Sequence, residues 1–120
     1  MTNGCLIKRE EAQRALDLNI SDIQVSLEGP PDLHDSIRGK GSFAAAAKGV
    51  EQLVAVGNRV SANVTLSRLN VDTIDEAVEI ARGMGFYGIG FSRMVPCGRG
   101  KGLLDSFLTP QELEGAYQRI

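Results

Sequence analysis

The sequence predicts an α/β fold built from successive β/α units with parallel strands. Three observations carry this. Short stretches that alternate apolar and polar residues recur between stretches of helical spacing. Glycine or proline separates one pattern from the next. The order helix, strand, helix, strand, helix, strand, helix is that of β/α units, whose strands pair in parallel through right-handed crossovers.

The elements follow in order. Residues 8–18 (KREEAQRALDL) place Ala12, Ala15 and Leu16 on one helical face. Residues 23–27 (IQVSL) alternate as a strand and run into Glu28-Gly29-Pro30-Pro31, which is read as a loop that continues neither strand nor helix. Ser42 is the expected N-cap of a helix carrying Phe43, Ala46, Val50, Leu53 and Val54, which Gly57 stops. Residues 59–67 (RVSANVTLS) form a second strand with Val60, Ala62, Val64 and Leu66 on one side. Asn70 is expected to cap the following helix, whose stripe is Val71, Ile74, Val78, Ala81 and Met84. Residues 86–94 (FYGIGFSRM) make a third strand, and Pro96-Cys97-Gly98-Arg99-Gly100 a loop. Thr109-Pro110-Gln111-Glu112 opens the last helix with a cap, a proline at the first helical position and a capping box.

Composition narrows the function classes. Thirteen Lys and Arg against fifteen Asp and Glu leave a net charge of −2, which makes no electrostatic case for nucleic acid or an anionic membrane. No apolar run approaches the ~20 residues that span a bilayer, and no signal pattern opens the chain, so the cytoplasm is the expected location. The two cysteines, Cys5 and Cys97, belong to no CxxC group and are read as free thiols. No Ser/His/Asp set, catalytic carboxylate pair or Walker loop is found. Gly88-Ile89-Gly90 lies inside a strand and is a weak phosphate signal. The polar residues within the strands (Gln24 and Ser26; Asn63 and Thr65; Ser92 and Arg93) suit a barrel interior that holds a ligand.

Taken together, several segments resemble the radical S-adenosylmethionine superfamily. They are Thr2-Asn3-Gly4 with Leu6-Ile7; Val25-Ser26-Leu27-Glu28-Gly29-Pro30; His34-Asp35 with Arg38-Gly39 and Gly41-Ser42-Phe43; Thr65-Leu66 with Asn70; and Arg93-Met94-Val95-Pro96 with Gly98-Arg99-Gly100. The closest look-alikes carry a cysteine-rich C-terminal extension (the SPASM group) and mature peptides, sulfatases, haem variants and pyrroloquinoline quinone. The resemblance implies a partial (β/α)6 TIM-like barrel, of which residues 1–120 would be three to four units from the central to C-terminal part. The Thr2–Gly4 loop would then follow a missing strand, and the unpaired sheet edges would favour self-association.

The resemblance also implies two cofactors in the parent protein. One is a [4Fe–4S] cluster held by a CxxxCxxC loop; the other is S-adenosylmethionine, cleaved to a 5′-deoxyadenosyl radical that attacks a small-molecule or peptide substrate. The cluster loop is missing from this sequence, so the 120 residues alone are expected to be inactive. On the same ground Ser26, at a strand's carboxyl end, would donate to the cofactor's carboxylate or ribose; its alternative is a bond to local backbone. Thr2 and Asn3 would line the same mouth or simply form a turn. Arg38 would clamp a carboxylate, although an Asp35–Arg38 pair tying its own loop is the favoured reading. Asn63 and Thr65 would reach the ribose or the substrate, and Met94 and Val95 the adenine. His34 is read as a loop anchor, and Arg93 and Arg99 as solvated or loop-pairing. Two rivals remain: a stand-alone β/α module that binds a metabolite or a partner protein without chemistry, and a piece of another (β/α)8 enzyme with an anion site at a helix N-terminus.

Overall fold

The structure is a computed structural model that describes residues 1–95 and 104–120. The expected loop at 96–100, with Cys97 and Arg99, lies outside the described residues. Three parallel strands, β1 (Ile23–Ser26), β2 (Val60–Leu66) and β3 (Gly88–Arg93), lie side by side in the order β1-β2-β3. Thr2 extends the sheet beyond β1 by a parallel bridge to Val25: its N–H donates to Gln24 O (2.8 Å), and Ser26 N–H donates to its carbonyl (3.0 Å). The loop at Thr2–Gly4 thus leaves a strand-like position on the β1 edge.

Helices α1 (Arg9–Asp17), α3 (Ser42–Ala55), α4 (Ile74–Gly83) and α5 (Pro110–Arg119) pack on one face of the sheet. That face is apolar because alternation puts Val25, Val60, Ala62, Val64 and Leu66 on it. They join Ala12, Val50, Leu53, Ile74, Ala77, Ala81 and Ala116 in a single core. In α4 the buried positions are Ile74, Ala77 and Ala81, while Val78 is half-buried. The opposite face carries Gln24, Ser26, Ser61, Asn63, Thr65, Gly88, Gly90 and Ser92. Hydrophobic on the helical side and polar on the other, the sheet is one arc of a β/α barrel.

Three sequence expectations need correction. Residues 31–38 are not a loop: Pro31–Arg38 is a helix, α2. Pro31 occupies its first position, where proline loses no hydrogen bond and its fixed φ suits the helix, and Asp32 favours the positive N-terminal end. Ser42 is the first residue of α3 rather than its cap. The cap is Gly41, at φ 81°, and the amides of Gly41 and Phe43 donate to the Asp35 carboxylate at 2.7 and 2.8 Å. Asn70 does not cap a helix through its side chain either; a 3₁₀ turn, Val71–Thr73, precedes α4. At Thr109 the expected capping box with Glu112 is formed.

Candidate functional site

The strands end together at one rim, and the loops and helices that follow them frame a cleft of about 590 Å³ lined by Asn3, Cys5, Glu28, His34, Ile37, Arg38 and Ser42. Its floor is an ion pair. Arg38 donates to Glu28 Oε1 through Nε (2.8 Å) and Nη2 (2.6 Å). Glu28 keeps 5% of its side chain exposed and Arg38 32%, so the carboxylate is the buried partner. Burial raises the Glu28 carboxyl above its usual range, and the Arg38 guanidinium opposes that shift. Asp35, the expected partner of Arg38, instead caps α3; the amides of Phe43 and Gly41 hold its carboxyl below the usual range.

His34 is buried on α2 and accepts a bond at Nδ1 from the Glu28 N–H (3.2 Å), which fixes the neutral ring with its proton on Nε2. Burial is the first cause of its lowered pKa and the Arg38 charge the second. Phe43 meets the ring edge-on at 5.6 Å between centroids. The histidine is an anchor, as expected, but from a helix rather than a loop.

The residues predicted for a site fall in three places. Asn3 and Arg38 share the cleft. Ser26 and Asn63 are register partners on the polar face, with Thr65 two residues further along β2, and Asn63 Nδ2 donates to Ser92 Oγ across to β3 (3.2 Å). Met94 lies in a separate apolar pocket of about 250 Å³ with Leu66, Arg93, Phe107, Leu108, Pro110 and Leu113, and Val95 is exposed. Thr2 and Asn3 also shape their own turn, since Thr2 Oγ1 accepts from Gly4 N and Asn3 Oδ1 from Cys5 N. That turn is braced from behind. A Cβ on Gly49 of α3 would collide with the Gly4 carbonyl oxygen, so glycine at 49 lets helix and loop meet.

Sequence reasoning missed Glu28 and the true role of Asn70. Asn70 is 2% exposed; its Nδ2 donates to Glu28 O (3.1 Å) and Thr65 O (3.0 Å), and its Oδ1 accepts from Ser67 N (2.9 Å). The helical spacing of Leu33 and Ile37 behind Pro31-Asp32 was the signal for α2, and with α2 comes the return of Arg38 to Glu28.

The donor set bears on cofactors unequally. The polar row of hydroxyls and amides fits a nucleoside with an amino-acid head. Among the described residues no group of three His, Cys, Asp or Glu side chains is placed to hold a metal ion. Also among the described residues, no helix is long and apolar enough to cross a membrane.

Comparison with known proteins gives a consistent picture. No protein-family model matches the chain. It is 32% identical over 120 residues to the Fe-coproporphyrin III synthase of Methanosarcina barkeri, covering 99% of this chain and 30% of that protein. It is 35% identical over 106 residues to mycofactocin maturase MftC of Mycolicibacterium smegmatis, covering 87% of this chain and 27% of that protein. The AdoMet-dependent heme synthase of Nitratidesulfovibrio vulgaris is 30% identical over 114 residues, covering 93% and 31%. The chain thus spans about 30% of the length of the curated relatives it matches. In fold it superposes on native anSMEcpe with bound AdoMet and Cp18Cys peptide at a TM-score of 0.79 and 16% identity, over 95% of this chain and 33% of that one.

Proposed function

Because this chain is a relative of the SPASM-type radical S-adenosylmethionine maturases, we propose that residues 1–120 supply part of the S-adenosylmethionine pocket in such a maturase's barrel. They would be its central to C-terminal units. The carrying observation is the polar row: Ser26 and Asn63 in register, with Thr65 beyond, on the sheet face opposite the core, Ser26 buried and the other two half-buried. Ligands of β/α barrels bind at the carboxyl ends of strands; Ser26 is the last residue of β1 and Thr65 the last but one of β2, with Asn63 two residues earlier.

In this reading Ser26 donates to the cofactor's carboxylate or ribose, and Asn63 and Thr65 hold the ribose or the substrate. Arg38, with Nε and one Nη2 hydrogen committed to Glu28, offers its three remaining N–H groups to a carboxylate entering the cleft. Thr2 and Asn3 shape the cleft's wall, and Met94 and Val95 meet the adenine through main chain and an apolar side chain. When bound, the cofactor pair supplies radical chemistry, with the cluster ligands coming from outside these residues; the chain's own part is to orient S-adenosylmethionine and exclude water. The substrate is a peptide or a small cofactor precursor, in keeping with relatives that include maturases and a heme synthase.

The test is a titration of the ¹⁵N-labelled chain with S-adenosylmethionine. Saturable shifts at residues 24–27 and 61–66, abolished in Ser26→Ala, are expected. No shifts at millimolar ligand, or shifts confined to the helical side, would reject the reading.

A further inference from the structure

We propose that Asn70 is a positioning residue that locks the carboxyl ends of β1 and β2 together and, through Glu28, aims Arg38 into the cleft. The functional consequence rests on the cofactor reading above; the positioning itself does not.

Glu28 needs partners for three polar groups, its amide, its carbonyl and its carboxylate. The β1–β2 ladder runs out just before it, the bond from Leu27 N–H to Asn63 O (2.9 Å) being its last. Beyond that point Glu28 is buried yet has no strand partner to satisfy its backbone, and an unpaired buried carbonyl is costly. The chain solves this with side chains from two directions. His34 Nδ1 takes the Glu28 N–H, and Asn70 Nδ2 donates to the Glu28 carbonyl from 42 residues away. Arg38 then holds the carboxylate. Glu28 is pinned at its amide, its carbonyl and its side chain.

Asn70 is suited to this task. Its two amide hydrogens go to carbonyls on two different elements, Glu28 and Thr65, while its oxygen takes the Ser67 N–H. The group is therefore orientated by its partners. Its own backbone carbonyl is occupied separately, accepting from Thr73 N–H and Oγ1 at 3.0 Å each, so the 3₁₀ turn does not depend on the side-chain amide. What depends on the amide is the distance between the rims of β1 and β2. Arg38 is aimed by the carboxylate it binds, so a Glu28 that drifts carries the guanidinium with it.

Asn70→Asp tests the idea: it keeps the shape and the acceptor for Ser67 but removes both donors. The expected result is selective. Hydrogen exchange of the Glu28 amide and the Arg38 Nε–H should quicken by about tenfold, the loss of one or two net hydrogen bonds, while the α3 core amides of Val50 and Leu53 keep their protection. S-adenosylmethionine affinity should fall several-fold, and adding Arg38→Ala to Asn70→Asp should cost little more. Uniform acceleration across rim and core, or none at the rim, would overturn the positioning role. Selective acceleration with unchanged affinity would leave Asn70 in its positioning role and remove Arg38 from the cofactor's contacts, whereas an unmutated chain that binds no S-adenosylmethionine would remove the cofactor reading and leave the positioning role. Should Asn70→Asp not fold, Asn70→Ser, uncharged and smaller, is read by the same exchange pattern.

Discussion

The two sides of the sheet are held in different ways. On the β1 side the rim is fixed by buried polar bonds: Glu28 with His34, Asn70 and Arg38, and the Gly4 turn seated on Gly49. On the β3 side every residue from Gly88 to Ser92 is only half-buried. There α5 contributes one fully buried residue, Ala116, and its ion pairs, Arg68–Glu112 and Arg119–Asp75, lie at the surface. Buried polar networks rigidify because breaking them leaves groups unsatisfied. Exposed pairs cost little to break, since water replaces each partner. The β1 rim is therefore built in advance of any ligand, whereas the β3 side can adjust to one.

The sharpest way to break this contrast is Gly49→Ala. The added methyl must displace the Gly4 carbonyl, a backbone atom, so a loss of roughly 3 kcal/mol is expected, at the upper end for overpacking. Chemical denaturation would measure it, and a loss well under 1 kcal/mol would mean that the loop is free to move. His34 provides a second test through pH. Its folded pKa is lowered, so the unfolded chain binds the extra proton more readily and stability falls as pH drops below about 6.5. Glu28 has the opposite sign: its raised pKa makes the folded state the better proton acceptor, so its contribution grows as pH falls toward 4.5. Between pH 7 and 5, His34→Gln should abolish the histidine's loss and leave the Glu28 slope. Identical pH slopes in both proteins would argue against a buried, neutral His34. The smallest effect is expected on the far side, where a double-mutant cycle on Asp75 and Arg119 should give a coupling below about 0.5 kcal/mol. A coupling above 1 kcal/mol would put both sides on the same footing.

Much of the fold was legible because it rests on local periodicity. Val60, Ala62, Val64 and Leu66 declare their face by alternation, and Thr109 and Glu112 declare a helix start by spacing alone. Two prolines in succession hid α2, since Pro30-Pro31 reads as a break even though proline is at home in a first helical turn. The site was less legible for a different reason. Ser26 is read from its strand end and Asn63 from the face it shares with Thr65, and only register makes the two neighbours. Asn70 reaches Glu28 across 42 residues; no window along the sequence contains that bond. A glutamate beside Gly-Pro-Pro looks like a turn residue until a helix returns an arginine to it.

The separation of the sheet into an apolar side and a polar side has an evolutionary consequence. The core lies beneath the helices, and the half-buried Gln24, Asn63 and Thr65 stand outside it, so exchanging them costs the fold less than exchanging a core residue. Selection can then reshape the recognition surface while the scaffold stays unchanged, which is how one architecture comes to serve many chemistries.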